Sequence, residues 1–371
     1  MSNSIMRYFL GTSSPKGYIT RFGELIDLSG FRCYILKGGP GFEKSQLMER
    51  LIANREGLED IDEFHCSSDP TRLDAVIFHN LRAIVVDGAP PHAFEPSLPI
   101  INQTIVDLSE CWELDKLIRF KGSIVRCYDD YRRQTQRLSR FLSATSVIYS
   151  DTAEIAATTL NISKLDAFIS GVISRTLPRE NALKDTFIPV EYRQLCAITP
   201  DGYKTFTRDI EEAYSKIYIL KDNYFACSWR ILSLIENAAL SRGIKCLKSE
   251  NPLFQDSTPE HLLIPELGIA FLTSNHINKI TVDSAKNINC LRFYDKAQLS
   301  MRKQRIKFNK KTATELLSEA VYSLISATDV HDELEDYYLF ALNPEALEER
   351  YEQLKTKLIP KNTCILGDED V

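Results

Sequence analysis

The 371-residue sequence has no apolar run close to the ~20 residues that span a lipid bilayer. Its first segment, MSNSIMRYFLG, lacks the long apolar region and the small-residue cleavage site of a signal peptide. With 44% hydrophobic and 26% charged residues, the composition is that of a globular protein and excludes disordered, collagen-like and coiled-coil classes. We therefore expect a soluble, cytoplasmic protein without a membrane-spanning segment.

The nine cysteines also lack the patterns of two cysteine-rich classes. Their number is odd and no C-x-x-C pair occurs, whereas a secreted disulfide framework has dense, paired cysteines. A structural zinc site requires clustered ligands, and the sequence has no such cluster. We predict that most of these thiols are buried and behave as small hydrophobic side chains.

The net charge of −6 argues against extensive nucleic-acid binding. One basic stretch, Arg302–Lys311, contains six basic residues among ten. We interpret it as a solvated helix start that is neutralised by later acids such as Glu333, Glu335 and Asp336. A contact with a polyanion is the alternative interpretation. Nucleic acid is therefore not an expected partner.

Two halves of the chain resemble each other in sequence. Four pairs of segments recur in the same order at a nearly constant spacing. Such a repeat indicates duplication of one structural unit. It predicts one domain over residues 1–185 and a second over residues 186–371, with the boundary near residues 177–190. The pairs are Ser14–Tyr18 with Thr199–Tyr203, Cys33–Lys37 with Ile217–Lys221, Leu81–Val86 with Leu267–Leu272, and Leu160–Asn161 with Leu342–Asn343.

Each half shows the same coarse order of strands and helices. A compact apolar strand, RCYILK or KIYILK, precedes a loop and an amphipathic helix, and further strands end near His65 and Val86. Alternating strands and helices predict α/β domains with mainly parallel sheets and right-handed crossovers. Long helical stretches, roughly 110–175 and 296–357, predict a helical arm on each sheet.

The loop after the first of these strands resembles a phosphate-binding loop. The Walker A pattern is G-x-x-x-x-G-K-[ST], and Gly38, Lys44 and Ser45 match it. Lys44 would contact the β- and γ-phosphates, Ser45 would hold Mg²⁺, and the backbone would supply N–H donors. The alternative is a Gly- and Pro-rich turn that binds nothing. The candidate nucleotide-binding residues are Gly38, Gly39, Pro40, Gly41, Phe42, Glu43, Lys44 and Ser45.

Glu43 stands where the pattern requires its second glycine. We expect its side chain to crowd a loop that requires the backbone torsions of glycine, at positive φ. We also expect its charge to repel phosphate. Both effects predict impaired nucleotide turnover.

Further candidates should lie at the same edge of the sheet. Asp87 closes the apolar run Ala83–Val86, the position of the acid that binds Mg²⁺ in P-loop proteins. We predict catalytic roles for Lys44, Asp87 and His92. His65, Ser68 and Asp69 are candidates for the acceptor side, with turn formation or another structural role as the alternative.

The corresponding loop of the second half, Asp222–Trp229, has lost this chemistry. Ser228 and Trp229 replace Lys44 and Ser45, and Thr273 replaces Asp87. We therefore predict that the second loop binds no nucleotide and that the second half serves as a structural partner.

These motifs together resemble a known family. I-L-K-G-G-P-G…K-S, H-C-S-S-D-P and I-V-V-D-G-A-P-P-H are similar to segments of an uncharacterised family of tandem P-loop ATPase-like proteins from clostridia and related Firmicutes. The resemblance implies two P-loop NTPase-like, three-layer domains, each with a helical insertion. The usual loop of that family is G-G-P-G-T-G-K-S, so this sequence departs from it at Phe42 and Glu43 and throughout residues 222–229.

Two functional hypotheses follow. The first is a nucleotide-binding protein, with ATP as the default nucleotide and Mg²⁺ as the cofactor. It would act as a weak NTPase, a nucleotide-dependent switch or a kinase-like enzyme. The second is an inactive pseudo-NTPase that serves as a scaffold for a protein partner.

Overall fold

The computed structural model describes residues 5–26, 30–53, 60–90, 93, 95–178, 190–254 and 258–358. The first half contains, in order, β1 (Ile5–Phe9), β2 (Gly11–Ser14), β3 (Gly17–Thr20), α1 (Phe22–Ile26), β4 (Arg32–Lys37), α2 (Glu43–Ala53), β5 (Ile61–His65), β6 (Leu73–Phe78), β7 (Ala83–Asp87), β8 (Gln103–Asp107), α3 (Leu114–Arg119), α4 (Lys121–Ala157) and α5 (Ile162–Thr176).

The second half repeats this order of elements. It contains β9 (Glu191–Tyr192), β10 (Cys196–Thr199), β11 (Gly202–Thr205), α6 (Arg208–Ala213), β12 (Lys216–Lys221), α7 (Ala226–Leu240), β13 (Leu247–Glu250), β14 (Pro259–Ile264), β15 (Ile269–Ser274), β16 (Lys286–Asn289), α8 (Lys296–Met301), α9 (Lys303–Ala341) and α10 (Pro344–Leu358).

Each half forms a six-stranded sheet, and the two sheets have the same strand order. The orders are β1-β5-β6-β7-β4-β8 and β9-β13-β14-β15-β12-β16. In both sheets three of the five strand pairings are parallel, which confirms the α/β class with mainly parallel sheets. β6 and β14 run antiparallel to both of their neighbours.

The prediction of crossover connections throughout was wrong for these two strands. Short turns join β6 to β5 and β7, so this part of the sheet is a meander. All six residues of β6 are buried, as are all six of β14. No strand was predicted from the sequence at either place. Each strand is only six residues long and includes charged or polar side chains, Asp74 in β6 and Glu260 and His261 in β14, so neither forms a clear apolar run.

One apolar core lies between the two sheets. Cys33 and Ile35 of β4 belong to it together with Ile217 and Ile219 of β12. Polar contacts also join the halves, including a 2.7 Å ion pair between Arg7 and Asp209. The alternate residues of the same strands face outward, because successive side chains of a strand point to opposite faces. The two sheets therefore share their inner core.

The two halves also exchange the helices that cover the outer faces of the sheets. Tyr351 and Leu354 of α10 pack in one cluster with Leu47 and Leu51 of α2, on the first sheet. Conversely, α5 packs on α7 over the second sheet, in a cluster that includes Leu165 and Ile231. The predicted three-layer domains were wrong in this respect: each sheet has helices on its outer face, one of them from the other half, and faces the other sheet across the shared core. Most of the predicted boundary near residues 177–190, namely residues 179–189, lies outside the described residues.

The helical arms α4 and α9 lie against each other along their length. The end of α4 meets the start of α9, where Arg305 forms an ion pair with Asp151, and Asn309 donates to the same carboxylate at 2.6 Å. The expected neutralisation by later acids of α9 holds for Lys311, which pairs with Glu315, whereas Glu335 pairs with Arg72. Arg305 stays 65% exposed, in agreement with a solvated helix start.

The cysteines are free thiols where the structure describes them. Seven are buried and Cys66 is half-buried, which confirms the prediction that most of them pack as small hydrophobic side chains. Cys364 lies outside the described residues. Among the helices of the described ranges, none combines the length and the apolar character required to cross a membrane.

The exchanged helices predict cooperative unfolding of the whole chain. Leu354→Ala removes a buried side chain of α10 and should lower the free energy of unfolding by about 2–5 kcal/mol. The two tryptophans, Trp112 and Trp229, report on the two halves. In urea titrations of Trp112→Phe and Trp229→Phe backgrounds, both fluorescence transitions should shift together.

The matched control is Leu339→Ala on α9, since Leu339 is 47% exposed and its truncation should leave both transitions in place. A shift of only the transition that Trp112 reports would show that the halves unfold independently, and would contradict the shared core.

Candidate functional site

The loop between β4 and α2 holds the ammonium group of Lys44 inside the protein. Lys44 is 2% exposed. Its Nζ donates to the backbone oxygen of Gly39 at 2.6 Å and to Glu43 Oε1 at 3.2 Å, and it lies 3.7 Å from Asp87 Oδ2. Burial lowers the pKa of Lys44, but Asp87 and Glu43 outweigh burial and the pKa is raised. The charged ammonium is thus surrounded by acceptors of the chain itself.

Glu43 places its carboxylate within this loop. It is the first residue of α2 and is 4% exposed. The carboxylate lies against Gly41, where a β-carbon would collide with it. Burial raises the pKa of Glu43, and the ammonium of Lys44 opposes that rise. The Glu43 carboxylate therefore stands at a helix N-terminus next to the lysine, a position that favours a negative charge.

The expected backbone strain at Glu43 was wrong. Glu43 has helical backbone torsions, and the positive φ of the loop, 151°, belongs to Gly41. A glycine adopts this torsion without steric cost because it has no β-carbon. Glu43 is accommodated without backbone strain because the helix α2 begins at this residue. Glu43 therefore affects the loop through the charge and the volume of its side chain.

Aromatic rings cover the first part of the loop. A β-carbon at Gly38 would lie 2.9 Å from the ring of Trp112, and one at Gly39 would overlap the ring of Tyr338 on α9. The two rings meet edge to face, 6.2 Å apart. These two glycines therefore allow close approach of the rings. Pro40 and Phe42 complete the loop and are half-buried.

The two predicted Mg²⁺ ligands are engaged within the fold. Ser45 Oγ donates to Glu49 Oε1 at 2.9 Å and accepts from the backbone N–H of Leu73 at 2.9 Å. Asp87 Oδ1 accepts from the backbone N–H of Ala89 at 2.7 Å, while Oδ2 faces Lys44. Both side chains therefore already have partners within the chain.

The other predicted site residues lie in different surroundings. His65 Nε2 is 3.3 Å from Glu63, and its ring packs near Phe206 of the second half. Ser68 and Asp69 line a large cavity. Asp69 accepts from Thr71 and forms a 2.8 Å ion pair with Arg72, so it stabilises a turn between two strands. His92 lies outside the described residues.

One face of α9 passes over both the cavity and the loop. His331 and Asp332 line the cavity. Glu335, four residues beyond His331, forms an ion pair with Arg72 at 2.6 Å. Tyr338, one further turn along the helix, contacts Gly39 in the loop between β4 and α2. Burial raises the pKa of Glu335, but His331 and Arg72 outweigh burial and the pKa is lowered.

The second loop is closed by a different carboxylate. Asp222 follows β12 directly and is 1% exposed. It accepts from the backbone N–H groups of Tyr224 at 3.0 Å and Ser228 at 2.8 Å, and from the hydroxyl of Tyr294 at 3.1 Å. Burial raises the pKa of Asp222, and the backbone donors oppose the rise. Phe225, at φ 67°, aligns with Gly41 of the first loop.

The two loops thus share one structural feature, although their sequences differ. In each, a carboxylate of the chain occupies the N-terminal region of the helix that follows the strand, Glu43 in the first and Asp222 in the second. Sequence comparison did not identify Asp222 as functional. The available signal was an acid in place of Gly38, at the start of the loop that leads into α7, because a carboxylate near a helix N-terminus is a ready acceptor for backbone N–H groups.

Two groups of side chains in the described ranges come close enough to share a metal ion. Asp222, Cys227 and Cys290 form the first, with ligand atoms within 4.8 Å of one another, and His331, Asp332 and Glu335 form the second. Asp222 and Glu335 already have partners within the chain, as described above. Neither group is therefore assigned to a metal.

A buried acid also lies beside the second loop. Glu260 of β14 is fully buried and accepts from Asn251 at 2.7 Å and Asn275 at 3.2 Å. Burial raises its pKa to about 7, and the amide donors oppose the rise. Burial also lowers the pKa of the neighbouring His261 to about 3.

The contacts of Lys44 predict that this residue stabilises the fold in the absence of nucleotide. Lys44→Met keeps the length of the side chain but leaves Glu43 buried without its cation. The free energy of unfolding should fall by about 3–5 kcal/mol, the effect of breaking one side of a buried ion pair. The double variant Glu43→Gln/Lys44→Met should regain more than half of that loss. Urea unfolding in nucleotide-free buffer measures both, and an unchanged stability of Lys44→Met would contradict the closed loop.

Glu260 predicts a specific pH dependence. Its folded pKa, about 7, lies above the unfolded value of 4.5, so its contribution to stability is complete below pH 4.5 and is lost as the pH rises through 7. The stability of the wild type relative to Glu260→Gln should therefore fall by about 3 kcal/mol between pH 4 and pH 8. Taking this difference cancels the opposite contribution of His261, and a difference that stays constant with pH would contradict the prediction.

Comparison with known proteins gives no match. No protein-family model matches this chain, and no curated protein and no solved structure matches it. The resemblance to tandem P-loop ATPase-like proteins therefore stays a prediction from the motifs.

Proposed function

We propose that this chain is a pseudo-NTPase: a duplicated P-loop-like scaffold in which carboxylates of the chain itself occupy both phosphate positions. The shared order of elements and strands in the two halves supports the duplication. Its role is the binding of a protein partner through a rigid framework, with no nucleotide turnover in the resting conformation.

The observation that carries this proposal is the enclosure of Lys44. Its ammonium, 2% exposed, is held by Gly39, Glu43 and Asp87. A phosphate that entered this loop would have to displace the Glu43 carboxylate or lie beside it. Two unit negative charges about 4 Å apart repel each other by about 4 kcal/mol at an effective dielectric constant of about 20. Nucleotide binding therefore begins with a large electrostatic penalty.

A second candidate function is a nucleotide-dependent switch, favoured by one specific observation. Lys44 and Asp87 still meet at the carboxyl edge of the first sheet, 3.7 Å apart, and Ser45 follows Lys44 at the start of α2. Outward rotation of Glu43 would free the lysine for the β- and γ-phosphates of ATP. Because Tyr338 of α9 rests on Gly39, such a movement would reach the helical arm.

Calorimetric titration with Mg-ATP and Mg-GTP tests the two functions against each other. The wild type should show no binding at submillimolar nucleotide. Glu43→Gly should bind Mg-nucleotide at least about tenfold more tightly, because about 1.4 kcal/mol of repulsion corresponds to a factor of ten. Glu43→Gln separates the two effects, since it removes the charge and keeps the volume.

The stoichiometry of any binding should be at most one nucleotide per chain, because the second loop lacks the lysine, the hydroxyl and the acid. Adding Lys44→Met to Glu43→Gly should abolish the gained binding. Micromolar binding by the wild type would refute the pseudo-NTPase and support the switch. Failure of Glu43→Gly to bind better than the wild type would refute the role given to Glu43.

A further inference from the structure

A large cavity lies beside the first sheet, and the helical arms of both halves line it. It encloses about 740 Å³ between the β2–β3 hairpin, the turn that joins β5 to β6, and the helices α4 and α9. Protein interiors are packed to crystal-like density and rarely leave voids larger than a water molecule. A volume of this size falls in the range of small-molecule binding sites.

The corresponding region of the second half is packed with apolar side chains. Leu253 and Phe254 occupy the turn between β13 and β14, and both belong to a buried cluster with Phe225. The ring of Phe254 meets Trp229 edge to face at 4.6 Å and Phe225 at 5.2 Å. The same arrangement of elements can therefore be filled completely.

The residues that keep the first cavity open are the counterparts of these apolar ones. The spacing that relates Ser14 to Thr199 in the repeat also relates Ser68 to Leu253 and Asp69 to Phe254. On the helical arms, the spacing that relates Leu160 to Leu342 makes Leu317 of α9 the counterpart of Thr135 of α4. The same spacing makes Val321 the counterpart of Ser139. Ser68, Asp69, Thr135 and Ser139 line the cavity, whereas all four counterparts pack in the apolar cluster.

The alignment of the arms is supported by contacts that the halves make in a reciprocal way. Trp112 forms an isolated bridge with Leu342, and Leu160 forms one with Tyr294. The spacing from Trp112 to Tyr294 equals the spacing from Leu160 to Leu342, so the two bridges are equivalent contacts. Small or polar residues thus replace bulky apolar ones at these four positions, while Tyr131 and Leu138 of the cavity are larger than their counterparts Ala313 and Ala320. The exchange at the four positions opens space and supplies polar groups, as a ligand site requires.

The lining specifies the chemistry of the ligand. Leu138 and Leu324 give apolar walls, and Tyr131 contributes an aromatic ring. Arg72 lies in the cavity but is neutralised by Asp69 and Glu335. These walls suit an apolar or aromatic body rather than a fully polar molecule.

Charges at the rim select the sign of the ligand. Lys16 and Arg140 are exposed at the mouth of the cavity. Within the described part of the chain, neither forms an ion pair with a carboxylate, and Arg140 donates only weakly, to a backbone oxygen at 3.3 Å. Asp332 of α9 also lines the cavity, and burial raises its pKa. The two cations at the mouth are therefore the groups able to receive an anionic head.

We propose that this cavity is a binding site for a small amphipathic organic anion, with its apolar body against α4 and α9 and its anionic group at Lys16 and Arg140. The proposed site does not include the loop between β4 and α2, so this proposal does not depend on whether the chain binds nucleotide.

Fluorescence titration of the full chain with 8-anilinonaphthalene-1-sulfonate tests the proposal, because this probe is an aromatic anion that brightens in apolar sites. The wild type should bind one probe per chain saturably. Thr135→Leu/Ser139→Val, which introduces the side chains of the second half, should weaken binding at least tenfold. Arg140→Gln should weaken it about threefold to tenfold, an effect that high salt diminishes.

The matched control is Arg132→Gln, an exposed arginine of the same helix that does not line the cavity. Its affinity should stay within twofold of the wild type. Thermal unfolding of each variant without probe confirms that the fold is retained, and the single variants Thr135→Leu and Ser139→Val replace the double variant if it unfolds.

Competition identifies the part of the ligand that is recognised. Naphthalene-1-sulfonate should displace the probe, and the neutral 1-naphthylmethanol should do so at least tenfold less well. Equal displacement by the two compounds would overturn the anionic assignment. The proposed site would be overturned if the wild type showed no saturable binding of the probe. It would also be overturned if Thr135→Leu/Ser139→Val bound the probe as tightly as the wild type.

Discussion

The structure depends on one constraint: neither sheet is covered without the other half of the chain. The inner faces of β4 and β12 share one core, and each outer face receives a helix from the opposite half. Apolar area removed from water is the dominant stabilising term of folding, so the exchange makes the two halves one cooperative unit. It also fixes α4 against α9 and thereby places the arms over the carboxyl edges of the sheets.

A buried charge at these edges requires a partner, and this requirement explains the two loops. An ion removed from water is tolerated only with a close counter-charge or several hydrogen bonds. In the first half, Lys44 and Glu43 meet this need for each other. In the second half, the lysine is lost and Asp222 is satisfied by backbone N–H groups and Tyr294. The two loops thus differ in sequence, yet in each a buried carboxylate with partners in the chain occupies the carboxyl edge of the sheet.

Sequence reasoning identified the parts of the molecule that local patterns encode. Apolar runs and fixed spacing predicted the repeat, the strands β4 and β7, and the helical arms. They also predicted that Lys44 and Asp87 lie at the same edge of the sheet, where they are 3.7 Å apart. The strand β6 was not predicted, because it is short and contains the buried Asp74. The exchange of α5 and α10 was not predicted either, because an amphipathic helix does not specify which sheet it covers. The backbone at Glu43 was misjudged, since a motif position does not reveal where the helix begins.

The difference between the halves is informative because the scaffold is the same. Because the two halves have the same order of elements and strands, each can be compared with the other: the tightly packed region of the second half shows that apolar side chains can fill this arrangement. Phe254 and Leu317 provide that solution in the second half, and Asp69 and Thr135 stand in its place around the first cavity. Loss of apolar contacts at a buried position is destabilising, so the open cavity lowers stability relative to the filled one. A ligand that binds only the folded chain offsets such a loss, which connects the asymmetry of the sequence to function rather than to the fold.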